Sequence, residues 1–86
     1  MYTTKDILNL LKANKPALML KYPISELGLF GSYASGENTK NSDIDILVDF
    51  NQNIDGFVYI KLAHEFEDLF NHKIDLVSRK GIKPKY

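Results

Sequence analysis

Asp43 and Asp45 stand two residues apart in the segment 43–50, which reads DIDILVDF. On a β-strand, residues two apart point to the same side, so these two carboxylates emerge together. Neighbouring carboxylates repel one another unless a positive charge lies between them. A hard divalent cation answers that need. Mg2+ binds through a few carboxylates together with water and substrate phosphates. A third carboxylate from a neighbouring strand would complete a site for two ions about 3.5–4 Å apart. Asp75 is the candidate, because Ile74 and Leu76 share one face of the segment 73–78 and Asp75 takes the other. Taken alone, Asp-x-Asp is more commonly the acidic outer face of an amphipathic strand.

Gly31 and Ser32 shift that balance. A glycine directly after a strand lets the backbone approach a ligand closely. Ser32 opens a short helical turn, and exposed amides at such a start attract phosphate. The same pair also suits an ordinary strand-to-helix turn. Its nearness in sequence to Asp43 and Asp45, across the polar loop 37–42, sets a phosphate cradle beside a carboxylate-bound metal. Nucleotide transfer needs both.

Several elements must position these groups. Thr3 or Thr4 can cap a first helix, with Asp6 in its first turn where the helix dipole favours an acid. Ile7, Leu8, Leu10 and Leu11 give it an apolar stripe. Pro16 is expected to interrupt this helix and to start a second, running to Lys21, which Pro23 ends. Residues 26–30 read as a short strand. Residues 43–50 alternate almost strictly, with Ile44, Ile46, Val48 and Phe50 on one face and Asp43, Asp45, Leu47 and Asp49 on the other. Asn53 or Asp55 can cap a long amphipathic helix over 57–70, whose Val58, Leu62, Phe66, Leu69 and Phe70 recur at helical spacing. A third strand follows over 73–78. This order predicts an α/β or α+β fold: a small mixed sheet with helices packed on one face and the acidic site on the other.

Composition limits the alternatives. At 86 residues the chain is read as a single domain, 1–86. It has no cysteine, which rules out a disulfide framework and a thiolate metal site. No apolar run approaches the ~18 residues of a membrane span. The N-terminus carries an acid and leads into a helical pattern, so it does not read as a signal peptide. A cytoplasmic location is the expectation. Net charge is zero, which disfavours a protein built to hold long nucleic acid by charge. Arg79, Lys80, Lys83 and Lys85 crowd the end as a solvated tail. Asp49 reads as an exposed strand residue, His64 and His72 as surface or boundary residues, and Tyr33 as packing. Apolar helix faces leave a homo-oligomer open, but no residue pattern specifies one.

Gly31-Ser32, ten intervening residues and then Asp43-Ile44-Asp45 resembles the signature of the DNA polymerase β-like nucleotidyltransferase superfamily. The fuller stretches 29–36 and 42–48 resemble its minimal nucleotidyltransferase (MNT) branch, which includes the MntA-type antitoxins. The strand 73–77 is similar to the segment bearing that family's third carboxylate. The likeness covers residues 5–78, and it implies the nucleotidyltransferase fold. It implies that Gly31 and Ser32 hold the triphosphate of ATP. It further implies that Asp43 and Asp45 bind two Mg2+ ions, and that Asp75 ligates the catalytic ion and accepts the proton of the attacking hydroxyl. The reaction would be in-line attack on the α-phosphate, passing AMP to a hydroxyl such as a tyrosine of a HEPN-domain toxin. The chain departs from many relatives in having Ser35 in place of an arginine. It also has only residues 81–86 where they continue with another helix. The alternative reading is a non-catalytic antitoxin, or a nucleotide-sensing module, acting through partner binding. The intact aspartate triad favours the enzyme.

Overall fold

The structure, a computed structural model, describes residues 2–78. The basic tail of Arg79, Lys80, Lys83 and Lys85 and the short ending at 81–86 lie outside them.

The first helix, α1, runs over Thr4–Lys21. A reciprocal capping box starts it: Asp6 N donates to Thr3 Oγ1 at 3.1 Å, and Thr3 N donates to Asp6 Oδ2 at 3.0 Å. These bonds hold the Asp6 carboxyl below its ordinary value. The expected break at Pro16 does not occur, and α1 is one helix with Pro16 inside it. Proline removes the bond to the carbonyl of Lys12, four residues back. Both residues lie on the exposed side, where water can take up the freed carbonyl. Ile7, Leu11 and Leu18 stay buried on one stripe across the proline, so packing holds the two halves in line. Beyond Lys21 the chain turns at Tyr22, whose N–H still donates to Leu18 O at 2.9 Å.

Strand β1 spans Ile24–Phe30. It starts two residues earlier than its sequence pattern suggests, because a register irregularity between Ile24 and Glu26 hides the alternation. A short helix α2, Gly31–Ser35, follows and ends on Gly36 at φ 81°. Strand β2 is Ile44–Phe50, helix α3 is Gly56–Phe70 and strand β3 is Ile74–Ser78. Of the two cap candidates Asp55 serves, its Oδ1 accepting from Val58 N at 3.0 Å.

The sheet order is β1-β2-β3. β1 and β2 are antiparallel, whereas β2 and β3 are parallel. A parallel pair needs a long crossover, and α3 supplies it. The fold is mixed α/β, as the sequence pattern implies. One face of the sheet contributes Ile24, Ile44, Ile46, Val48 and Ile74 to the core, where they meet the buried stripes of α1 and α3. Among the described residues no helix is long and apolar enough to cross a membrane.

Candidate active site

Alternation along β2 decides the placement of the acids. Ile44, Ile46 and Val48 are fully buried towards the helices, so Asp45, Leu47 and Asp49 point to the opposite face. Asp75 sits on that same face of β3. The parallel register sets Asp75 directly beside Asp45. Asp43 lies just before β2, so its side chain leaves from the rim of the sheet, not from within it.

Asp45 feels these neighbours. Partial burial, then the Asp75 carboxylate, then the Asp43 charge hold its carboxyl above its ordinary value. Each cause disfavours a second negative charge at this spot. Three carboxylate arms are hard oxygen donors, which is the chemistry Mg2+ selects. Among the described residues, however, no three acidic or imidazole side chains converge closely enough to hold an ion unaided. Asp45 and Asp75 are register partners, and Asp43 stands off at the strand's start. Mg2+ takes part of its shell from phosphates and water, so two carboxylates with a third in reach suit it.

Gly31 joins the turn between β1 and α2 to this acid. Its φ is 75°, a left-handed conformation that side chains resist. A Cβ added there would lie 2.9 Å from Asp45 Cγ and overlap Oδ2. The carboxylate therefore rests against the bare α-carbon of the turn. Glycine at 31 is needed twice, for its backbone angle and for the space it leaves.

Ser32 is half-buried in the first turn of α2. Its carbonyl accepts from Gly36 N and from Glu37 N, the latter at 2.9 Å, which closes the helix. At the other end, Phe30 offers α2 no side-chain cap. Ser35 Oγ donates locally to Ser32 O at 3.2 Å. Two contacts anchor α2 from below. Thr4 Oγ1 donates to Tyr33 O, and the fully buried Tyr33 ring meets His72 edge-on at 6.0 Å. Tyr33 thus ties α2 to the chain just ahead of β3. His64 is exposed on α3, and Asp49 lies four residues along β2 from Asp45, beyond Leu47 on the same open face.

Phe30 is a member of this surface that the sequence pattern leaves unmarked. It pairs with Asp45 across β1 and β2 and so flanks the acids opposite Asp75. Its apolar character gives no sign of that place. Only the parity of Leu27 and Leu29, which pack on the core, points to it. A cavity of about 110 Å³ between α1 and α3, lined by Asn14, Leu18, Lys21 and Glu65 among others, lies on the helix side, away from the acids.

This geometry can be set beside known proteins. A family model described as a nucleotidyltransferase domain matches residues 9–86. A candidate protein adenylyltransferase of Methanocaldococcus jannaschii is 40% identical over 86 residues, covering all of this chain and 88% of that protein. The protein adenylyltransferase MntA of Thermococcus cleftensis is 37% identical over 83 residues, covering 96% of this chain and 84% of its own. Among solved structures, a chain from the crystal structure of the toxin–antitoxin complex MntA–HpeT, a double aspartate-to-glutamate mutant, matches with a TM-score of 0.64 and 27% identity. That match covers 95% of this chain and 61% of the other.

Proposed function

The chain belongs to the nucleotidyltransferase domain family, and on that premise we propose that it transfers AMP from ATP to a hydroxyl of a partner protein, as the antitoxin of a toxin–antitoxin pair. The observation that carries this reading is the meeting of three features at one spot. Asp75 and the bare α-carbon of Gly31 both adjoin Asp45, and the charge of Asp43 reaches it from the rim.

Asp43, Asp45 and Asp75 would hold Mg2+, two ions in this reading, which supply charge stabilisation at the α-phosphate when bound. The uncapped first amides of α2, beginning at Gly31 and Ser32, are donors suited to phosphate oxygens. In the reaction the acceptor oxygen forms a bond to the α-phosphorus as the bond to the pyrophosphate oxygen breaks. The hydroxyl proton passes to the exposed Asp75 carboxylate. Acceptor and leaving group must lie in line across the phosphorus, and the chain's main task is that alignment. Curated relatives bear the name protein adenylyltransferase, and a neighbour structure is a toxin–antitoxin complex. Both favour a protein acceptor, and a HEPN-domain toxin is the partner we assign.

The test is incubation with labelled ATP and Mg2+, with and without the protein encoded beside this one. Label is expected on the partner and lost in the Asp43→Asn/Asp45→Asn double variant. Full neutralisation of the partner by that folded double variant would show that binding, not transfer, serves the biological role.

A further inference from the structure

The outer flank of α1 is a surface that neither the core nor the acids use. Lys5, Leu8, Lys12, Lys15 and Met19 recur in steps of three and four residues. At about 3.6 residues per turn they fall within about 80° of arc. Asn14, Ala17 and Lys21 turn the other flank towards α3 across the cavity. The stripe therefore looks away from α3, on the side of β1. Leu8 and Met19 are 47% and 40% exposed, and Leu20, next to Met19, is 89% exposed. Lys21 pairs with Glu65, but Lys12 and Lys15 have no ion pair among the described residues. The one acid of α1, Asp6, is held off the stripe by the capping box. Lys5, in the first turn, opposes the helix dipole, and Lys12 faces Lys15 three residues on. The outer side of α3, by contrast, sets Lys61 among Glu67 and Asp68. The α1 stripe thus carries charge of one sign, at a cost to its own helix.

We propose that this stripe docks a helix of the partner protein, one whose contact face sets Glu or Asp against Lys12 and Lys15 and apolar side chains against Leu8 and Met19. The inference rests on the proposed function only in taking the acceptor of transfer as that partner. Steps of three and four are the spacing at which two helices mesh. Charge holds the middle of the stripe, and apolar groups lie towards its ends. A bilayer surface asks for the reverse, a continuous apolar face bordered by lysines. Nucleic acid phosphates would meet the lysines but leave Leu8, Met19 and Leu20 in water. An acidic amphipathic helix answers both kinds of side chain at once. Position favours it as well. Lys5 follows Thr4, whose Oγ1 donates to Tyr33 O of α2. The stripe thus starts beside α2 and runs about 21 Å from it. A partner seated there is held at the end of the molecule where α2 and the acids lie. Docking and transfer then use different residues.

The test mixes the full chain with the purified protein encoded beside it, without nucleotide, in calorimetry. Lys12→Glu/Lys15→Glu is expected to raise Kd about thirtyfold, which converts to about 2 kcal/mol and matches two partly exposed ion pairs. Lys12→Gln/Lys15→Gln should fall between that variant and the wild type. Leu8→Gln should raise Kd about fivefold through lost apolar contact. All three variants should keep the wild-type melting temperature and Mg2+-dependent ATP affinity, because none of these side chains belongs to the core or touches the acids. With labelled ATP and Mg2+, the charge-reversed variant should raise KM for the partner and leave kcat unchanged. A Kd that neither lysine variant moves, or no binding by the wild type, would overturn the docking proposal. So would binding of phosphatidylglycerol vesicles or of single-stranded RNA, and not of the partner, through the same lysines. Lysine-dependent binding of the partner with no label on it would keep the docking site and remove the transfer reading instead.

Discussion

Gly31→Ala is the substitution on which the site's construction turns. Residue 31 has a φ of 75°, and alanine in that left-handed region costs about 1–2 kcal/mol. The new methyl would also stand 2.9 Å from Asp45 Cγ and overlap Oδ2. Asp45 must swing off its rotamer, or α2 must move, at about 0.5–1.5 kcal/mol more. The sum, about 1.5–3.5 kcal/mol, is a large part of the stability of a domain this size. It corresponds to a fall of about 6–28 °C in melting temperature, read by circular dichroism. ATP affinity in the presence of Mg2+ is expected to fall as well, since the displaced carboxylate is one that would hold the ion. A double-variant cycle isolates the collision. In an Asp45→Ala background the methyl meets no carboxylate, so Gly31→Ala should cost only its backbone share. Equal costs in both backgrounds, within the additivity error of about 0.3–0.5 kcal/mol, would refute the idea that the turn and the acid are in mechanical contact.

Asp45→Asn should stabilise the metal-free protein at neutral pH, by about 0.2–1 kcal/mol on the scale of like charges facing across strands at a partly exposed site. Its folded carboxyl lies above the ordinary value of 3.8, so Asp45 favours folding below that value and turns against it as pH rises through the folded one. The variant's gain should therefore vanish near pH 3.5 in urea titrations, and a gain that persists there would assign it to something other than charge. Mg2+ at about ten times its Kd should add about 1.4 kcal/mol to the wild type and little to Asp43→Asn/Asp45→Asn in thermal melts. Tyr22 gives the opposite pH sign through Glu65. Tyr22 Oη donates to Glu65 Oε1 at 2.6 Å, and burial followed by that bond pushes the phenol up to about 12. Lys21 first and Tyr22 second hold Glu65 below its ordinary 4.5, so its stabilisation is present above that value and lost on acidification. Tyr22→Phe should cost about 1 kcal/mol at neutral pH and flatten the acid limb of the stability curve. The buried Tyr33 hydroxyl finds no partner among the described residues. Tyr33→Phe should therefore leave stability unchanged or raise it by up to about 1–3 kcal/mol, whereas a loss in denaturant melts would mean that the hydroxyl is bonded within the core.

The parts legible in the sequence are those governed by local period. The alternation over 43–50 assigns β2, its buried face and the exposure of Asp45 without reference to any other element. The stripe from Val58 to Phe70 and the Thr3 box are equally local. What was hidden is non-local or compensated. Pro16 carries the sequence mark of a helix end, and only the packing of Leu11 and Leu18 on the same stripe keeps α1 continuous. The start of β1 is masked by its irregular register. Parity sets the face of Asp75, but nothing in the spacing makes β3 a neighbour of β2 rather than of β1. The contact of Gly31 with Asp45 joins residues on different elements, so the glycine alone announces a turn and not what leans on it.

The division of labour inside β2 explains how a short domain carries mutually repelling acids. Its even-numbered residues Ile44, Ile46 and Val48 are fully buried and hold the sheet to both helices. Its odd-numbered residues carry the charges on the wet face, where screening keeps their repulsion small. Stability and chemistry thus come from one strand without competing for the same positions. The arrangement holds only while register holds, because a slip of one residue would turn Asp45 into the core and Ile46 out to water. Burying an unpaired carboxylate would cost far more than the open-face repulsion does. The constraints on register therefore serve the site as much as the fold. Asn51 N donates to Pro23 O at 2.9 Å at one end of the β1–β2 pair, and Gly31 seats the Asp45 carboxylate at the other.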